Sequence, residues 1–463
     1  MSSFATTDQI RDLFSRSMSA MYKTEVPQYG SLLDLVADIN RATLAADSAL
    51  RGQLEAADEL RRLDVERHGA VRLGTARELA DMRRIFRVMG MHPVGYYDLS
   101  VAGVPVHATA FRPVSDAALR TNPFRVFTSL LRLELIADPA LRAHAQDILA
   151  RRAIFTPRAL ALTALAEEAG GLTEAQAAEF VQEVTQTFRW HSEATVSHAS
   201  YRQLHGAHRL VADVVSFKGP HINHLTPRTL DIDAAQAEMP RRGIAAKEVV
   251  EGPPRRRHAI LLRQTSFKAL EEPIVFAEDG ADGSHTARFG EIEQRGMALT
   301  RAGRALYDRL LAGVRSMEGA GSASADYSER LAAAFRDFPD DLDALLAQGL
   351  AFFRWRVADA QGLARVAESG APFDLQALRS QGIVAASPIV YEDFLPVSAA
   401  GIFQSNLGGE EQKQYAAHAA QQAFEADLGA RVHDEIALYE QAQQRSIDQL
   451  RSALRTQAAQ AVA

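Results

Sequence analysis

Three segments far apart in the chain carry residues that can act on one centre. They are Arg67-His68-Gly69, His221-Ile222-Asn223-His224-Leu225 and Phe289-Gly290-Glu291-Ile292-Glu293-Gln294-Arg295. All three are β-compatible, and a strand holds its side chains at one depth of a sheet. Two histidines and one glutamate form the facial donor set that leaves positions on Fe(II) open for substrate and O2. His221 and His224 are three apart, so on a strand they face opposite ways, and His224 is the better ligand candidate. Glu291 and Glu293 share a face, and two carboxylates on an apolar-flanked strand are costly unless a cation or donor meets them. Either one ligates metal while the other pairs with Arg288 or Arg295, or both are solvated on an edge strand.

Other polar residues depend on register. His68 and Arg72 share a strand face, about 13 Å apart at ~3.3 Å per residue. Arg72 then leans over the same cavity and can fork onto a carboxylate; taken alone, the pair reads as a barrel-rim histidine with a surface arginine. Gln264 is polar inside an apolar run. Facing inward, its amide orients substrate or O2; facing outward, it carries no function. His107 is a candidate for the surroundings of the site, and the roles of His221 and Glu293 stay open. No HExxH, nucleophile elbow or Gly-rich phosphate loop occurs.

The elements that must position these residues alternate between helical and mixed stretches. Residues 1–63 read as helix, with Ile10, Leu13, Phe14 and Met18 at helical spacing. Residues 64–112 read as a first βαβ-type module, with a capping box at Thr75 and Glu78 opening its helix. Residues 113–210 read as a helical insertion, and 211–300 as a second module of βαβββ type. Residues 301–463 read as a C-terminal helical region with a cavity-lining loop near 391–407. The predicted fold is α+β: paired βαβββ modules facing each other as a half-open barrel, ligands inward, with large helical blocks added.

Composition excludes several classes. The chain of 463 residues is 47% hydrophobic and 24% charged, as in ordinary globular proteins. A formal net charge of -7 gives no reason to expect nucleic acid or an anionic membrane as partner. The absence of cysteine removes disulfides, thiolate metal sites and cysteine nucleophiles, and suits a reducing cytoplasm. No secretory signal or run of about 20 apolar residues is present, so a cytoplasmic protein is expected. Oligomeric state is not legible.

With these residues in view, a family resemblance emerges. The segment from Phe289 to Arg295 resembles the one that carries the iron-binding glutamate in 4-hydroxyphenylpyruvate dioxygenases, of the vicinal oxygen chelate superfamily. A closer resemblance is to the 2-oxoadipate dioxygenase/decarboxylase family of bacterial lysine catabolism. It is carried by Arg67-His68-Gly69-Ala70-Val71-Arg72, Phe217-Lys218-Gly219-Pro220-His221-Ile222-Asn223-His224, Arg263-Gln264-Thr265-Ser266-Phe267-Lys268 and Tyr391-Glu392-Asp393-Phe394-Leu395-Pro396-Val397-Ser398. The resemblance implies Fe(2+) held by His68, His224 and Glu291, and a substrate carboxylate held by Arg72. Val397 and Ser398 would help set specificity, His68 would border the substrate, and Gln264 joins Arg72 as a catalytic candidate. The partners implied are a 2-oxo dicarboxylic acid and O2, and the reaction converts 2-oxoadipate to 2-hydroxyglutarate and CO2. The rival readings are a metalloenzyme of the same superfamily doing non-oxidative isomerisation or hydrolysis, and a metal-free binding protein.

Overall fold

The computed structural model describes residues 4–65, 68–316, 324–395 and 410–462. Its strands are β1 His68–Leu73, β2 His92–Asp98, β3 Val106–Arg112, β4 Arg125–Leu131, β5 Glu193–Ala194, β6 His224–Thr226, β7 Leu262–Ser266, β8 Glu271–Phe276, β9 Asp282–Thr286, β10 Phe289–Arg295, β11 Phe353–Val357 and β12 Val384–Pro388. The chain forms two compact units. One comprises Met1–Glu251, Arg263–Gln294 and Asp393–His433; the other comprises Gly252–Leu262, Arg295–Glu392 and Asp434–Ala463.

The first unit is built on a seven-stranded sheet of order β2-β3-β4-β1-β6-β10-β7, curled as the half-open barrel of an α+β fold. Its two halves repeat one plan. His68 heads β1 opposite Arg125 of the parallel β4, and His224 heads β6 opposite Phe289 of the parallel β10. The antiparallel β1/β6 pair joins the halves, with Gly69 facing Leu225. Each imidazole precedes a member of that central pair by one residue, so alternation turns both rings to the same face. Gly69 is required there: a Cβ would come within 2.7 Å of Ile222 Cδ1 and 3.0 Å of Leu225 Cδ2.

β4 corrects the reading of 113–210 as a helical insertion. Arg125–Leu131 is buried along its whole length. Val126 and Leu130 enter the core, while Phe127 and Ser129 line a cavity on the other face. A strand covered on both faces loses its alternation, and the resulting apolar run looks the same as a buried helix. This strand completes a β-α-β-β-β first module; helices such as Pro139–Ala150, Pro157–Ala169 and Glu174–Gln186 fill most of the remainder. The second module also departs from expectation. Lys247–Val250 forms no strand, and β8 and β9 leave the large sheet to pair with β5 in a three-stranded one.

Helices cover the core face of the sheet. Thr7–Glu25 is opened by a capping box of Thr6 and Gln9 and buries Ile10, Phe14, Met18 and Met21, a stripe at helical spacing. Its Tyr22 hydroxyl lies 2.7 Å from the Phe289 carbonyl and 3.0 Å from that of Asn223, tying together the starts of β10 and β6. Ala76–Val88 begins at Thr75 as expected, but Glu78 does not close the box. Its carboxylate accepts from the Gly74 N–H at 2.7 Å and from Arg152.

In the second unit β11 pairs antiparallel with β12, and Leu450 and Leu454 of helix Glu435–Val462 share one core cluster with Trp355 of β11 and Val384 of β12. Both strands lie within 301–463, the region expected to be helical. Among the described residues no helix is long and apolar enough to cross a membrane.

Candidate metal centre and substrate cavity

His68, His224 and Glu291 project from β1, β6 and β10 to one point. One ligating atom from each lies within 4.8 Å of the others, and all three residues are buried. His68 Nε2 is 3.0 Å and His224 Nε2 4.0 Å from Glu291 Oε1. The same oxygen accepts from Thr226 Oγ1 at 3.2 Å and from Gln264 Nε2 at 2.5 Å. On the opposite face of β10, Gly290 leaves room for the core, because a Cβ there would strike the Phe267 ring and lie 2.9 Å from Leu32 Cδ2.

The electrostatics suit a divalent cation. Burial pushes the His224 imidazole down to about 3, so it is neutral with a lone pair to offer. Burial works against charge on Glu291, yet His224 and His68 outweigh it and hold the carboxyl below its usual range. Burial likewise opposes charge on His68, but Glu293 and Glu291 together raise its pKa; a bound cation takes the place of that proton. Buried side-chain atoms without a hydrogen-bond partner among the described residues, His224 Nδ1 and Gln264 Oε1, also sit here. Two imidazoles and an anionic carboxylate at a cavity wall fit an Fe(II)-type site with open positions.

Glu293 has a different task from Glu291. Its Oε2 is 2.9 Å from His68 Nδ1, and its Oε1 is 3.7 Å from Arg125 Nη1. A carboxylate acceptor fixes the proton on Nδ1 and leaves Nε2 to face the ligand point. Of the arginines expected nearby, Arg288 pairs instead with Glu25 and Glu272, and Arg295 donates from Nη1 to the Tyr391 carbonyl.

The cavity beside this point has a volume of about 380 Å³. Its wall includes His68, Arg72, Ser129, Gln264, Glu291 and Phe394, so Arg72 and Gln264 both face inward, as alternation along β1 and β7 allows. Arg209, Lys247 and Lys268 also border it, giving a positive field suited to an anion. Arg72 Nη1 donates to Asp213 at 2.7 Å. Phe394 sets its ring edge-on to His68 at 4.8 Å, and Phe289 stacks on His224 at 4.7 Å. The residue before Phe394 is held by a buried fork, Arg112 Nε and Nη2 to Asp393 at 2.6 and 2.9 Å.

Other candidates fall elsewhere. His221 contacts Asp213 at 3.4 Å and Asn223 at 3.2 Å, away from the three converging residues. His107 packs on Phe424 and Tyr96, outside the cavity wall. Val397 and Ser398 lie outside the described residues. Arg125, Asp213, Thr226, Phe289 and Phe394 were not anticipated. Only Phe289 and Phe394 had a sequence signal, as aromatic neighbours of candidate residues.

Comparison with known proteins gives the family. The 2-oxoadipate dioxygenase/decarboxylase family matches residues 14–406. A protein of that name from Pseudomonas putida is 58% identical over 455 residues, covering 97% of this chain and 98% of its own. Another of that name, from Escherichia coli, is 57% identical over 446 residues, covering 96% and 98%. The crystal structure of the Pseudomonas putida hydroxyglutarate synthase in complex with 2-oxoadipate superimposes with a TM-score of 0.91 at 58% identity, covering 97% of this chain and 99% of that one. The chain belongs to the 2-oxoadipate dioxygenase/decarboxylase family.

Proposed function

We propose that this protein converts 2-oxoadipate and O2 to 2-hydroxyglutarate and CO2, in the cytoplasm, as a step of lysine catabolism. The observation that carries the reading is the convergence of His68, His224 and Glu291 on the wall of a cavity that also holds Arg72. The substrate named for the relative's crystal complex, a 2-oxo acid with a second carboxylate, matches that pairing of donor set and guanidinium.

Fe(II) held by His68, His224 and Glu291 would supply O2 activation and open positions for a 2-oxo acid. The chain's own groups do the rest. Glu293 accepts the His68 Nδ1 proton and aims Nε2; Gln264 and Thr226 donate to Glu291 and fix its rotamer. Arg72 binds the distal carboxylate and so sets which carbon lies at the centre. Phe394 and Phe289 cover the two imidazoles and exclude water. Val397 and Ser398 follow this aromatic wall in sequence and contribute to chain-length selection.

The test is protein reconstituted anaerobically with Fe(II), given 2-oxoadipate and then O2. Equimolar O2 uptake and CO2 release is expected; CO2 release without O2 uptake, or no turnover, overturns the proposal.

A further inference from the structure

Beside Arg72 lies a buried polar cluster for which neither the metal centre nor the reaction accounts. Its middle is Asp213, on helix Arg209–Val215, with its side chain almost wholly buried. Oδ2 accepts from Arg72 Nη1 at 2.7 Å, and Oδ1 lies 2.9 Å from His285 Nε2 and 3.4 Å from His221 Nε2. The Tyr201 hydroxyl is 2.8 Å from His285 Nδ1. The polarity of this chain is consistent: Tyr201 O–H donates to Nδ1, and Nε2–H donates to Asp213. Trp190 closes the cluster, stacked on His285 and edge-on to His221.

Burial alone would raise the Asp213 pKa, but Arg72, His221 and His285 outweigh it and hold the carboxylate charged. The bond to Arg72 uses Nη1. Nε and Nη2, the guanidinium edge with two parallel N–H vectors, have no protein partner among the described residues. That edge matches a carboxylate. Arginine carries a large rotamer entropy, and an untethered one must be ordered by the ligand itself.

We infer that Asp213, braced by His285 and Tyr201, is the positioning residue that presents Arg72 to the second carboxylate of the substrate. The inference rests on the proposed role of Arg72. It also accounts for an acidic group beside a cavity meant for an anion. Asp213 costs some electrostatic attraction and in return fixes the geometry that tells a diacid from a monoacid.

Neutralising Asp213 would mix these two effects, so the informative substitution keeps the charge and moves it. The test is Asp213→Glu in the Fe(II)-loaded protein without O2, with calorimetric binding of 2-oxoadipate and of 2-oxohexanoate, which has a methyl in place of the distal carboxylate. Asp213→Glu should weaken the diacid by roughly tenfold, the cost of ordering one long side chain on binding, and leave the monoacid unchanged. Tyr201→Phe, which alters neither charge nor backbone, should shift the diacid in the same direction by less, and it decides the matter if Asp213→Glu does not fold. An equal loss for both acids, or no loss for the diacid in either variant, overturns the positioning role. A wild-type protein that binds neither acid overturns the substrate reading, and the inference with it; one that binds both equally overturns the role of Arg72.

Discussion

Replacing Glu293 by glutamine isolates the device that aims His68. The wild-type carboxylate sits 2.9 Å from His68 Nδ1, with Arg125 Nη1 3.7 Å from its other oxygen. A carboxylate can only accept, so Nδ1 keeps its proton, and Nε2 offers its lone pair once a cation takes the place of the proton it shares with Glu291. Glutamine has one acceptor and one donor end. Arg125 attracts the amide oxygen, which leaves NH2 facing Nδ1; the imidazole proton then moves to Nε2, where the metal binds. Losing such a partner typically costs about 10- to 100-fold in metal affinity. That range corresponds to about 1.4 to 2.8 kcal/mol. The assay is anaerobic Fe(II) titration against a competing chelator, with thermal unfolding of both proteins as a control. Folded Glu293→Gln with wild-type affinity would refute the tautomer reasoning, as would an undiminished effect in a His68→Ala background.

Three further outcomes are expected. Arg72→Ala should lower kcat/KM for 2-oxoadipate on the order of 10- to 100-fold, as for loss of a charge-assisted hydrogen-bond pair, mainly through KM; an unchanged KM would contradict its role. Gly69→Ala forces a methyl against Ile222 and Leu225 between the two histidine strands and should cost about 1–3 kcal/mol in urea unfolding, with a parallel loss of metal affinity; wild-type values for both would show that the strands can separate freely. Burial, helped by Arg132, pushes His107 from its ordinary 6.5 down to about 4. The unfolded chain therefore binds more protons between those values, and stability falls as pH drops from about 6.5 towards 4, by about 2 kcal/mol at pH 5 from this residue. His107→Gln should flatten that slope, and an unchanged slope would assign it elsewhere.

What could be read from the chain followed the reach of local pattern. Period-two alternation was enough to set Glu291 and Glu293 on one face and to separate His221 from His224. It also put Arg72 on the same side as His68. It could not divide labour between the two glutamates, because Glu293 meets His68 and Arg125 only through the register of β10 with β6, β1 and β4. Arg125 itself was hidden in a strand whose two buried faces erase alternation. Asp213 belongs to a helix remote in sequence, and its bond to Arg72 spans 141 residues with no local trace. The departure of β8 and β9 from the main sheet was equally invisible, since strand-forming residues do not name their neighbours.

The central claim is that one ferrous site uses a single O2 to cleave and to hydroxylate the same substrate molecule. Turnover of 2-oxoadipate under 18O2, followed by mass spectrometry, addresses it most directly. Both labelled atoms should appear in 2-hydroxyglutarate, one in the new carboxylate and one in the hydroxyl, with none in CO2. Unlabelled 2-hydroxyglutarate, or label in CO2, would contradict the account.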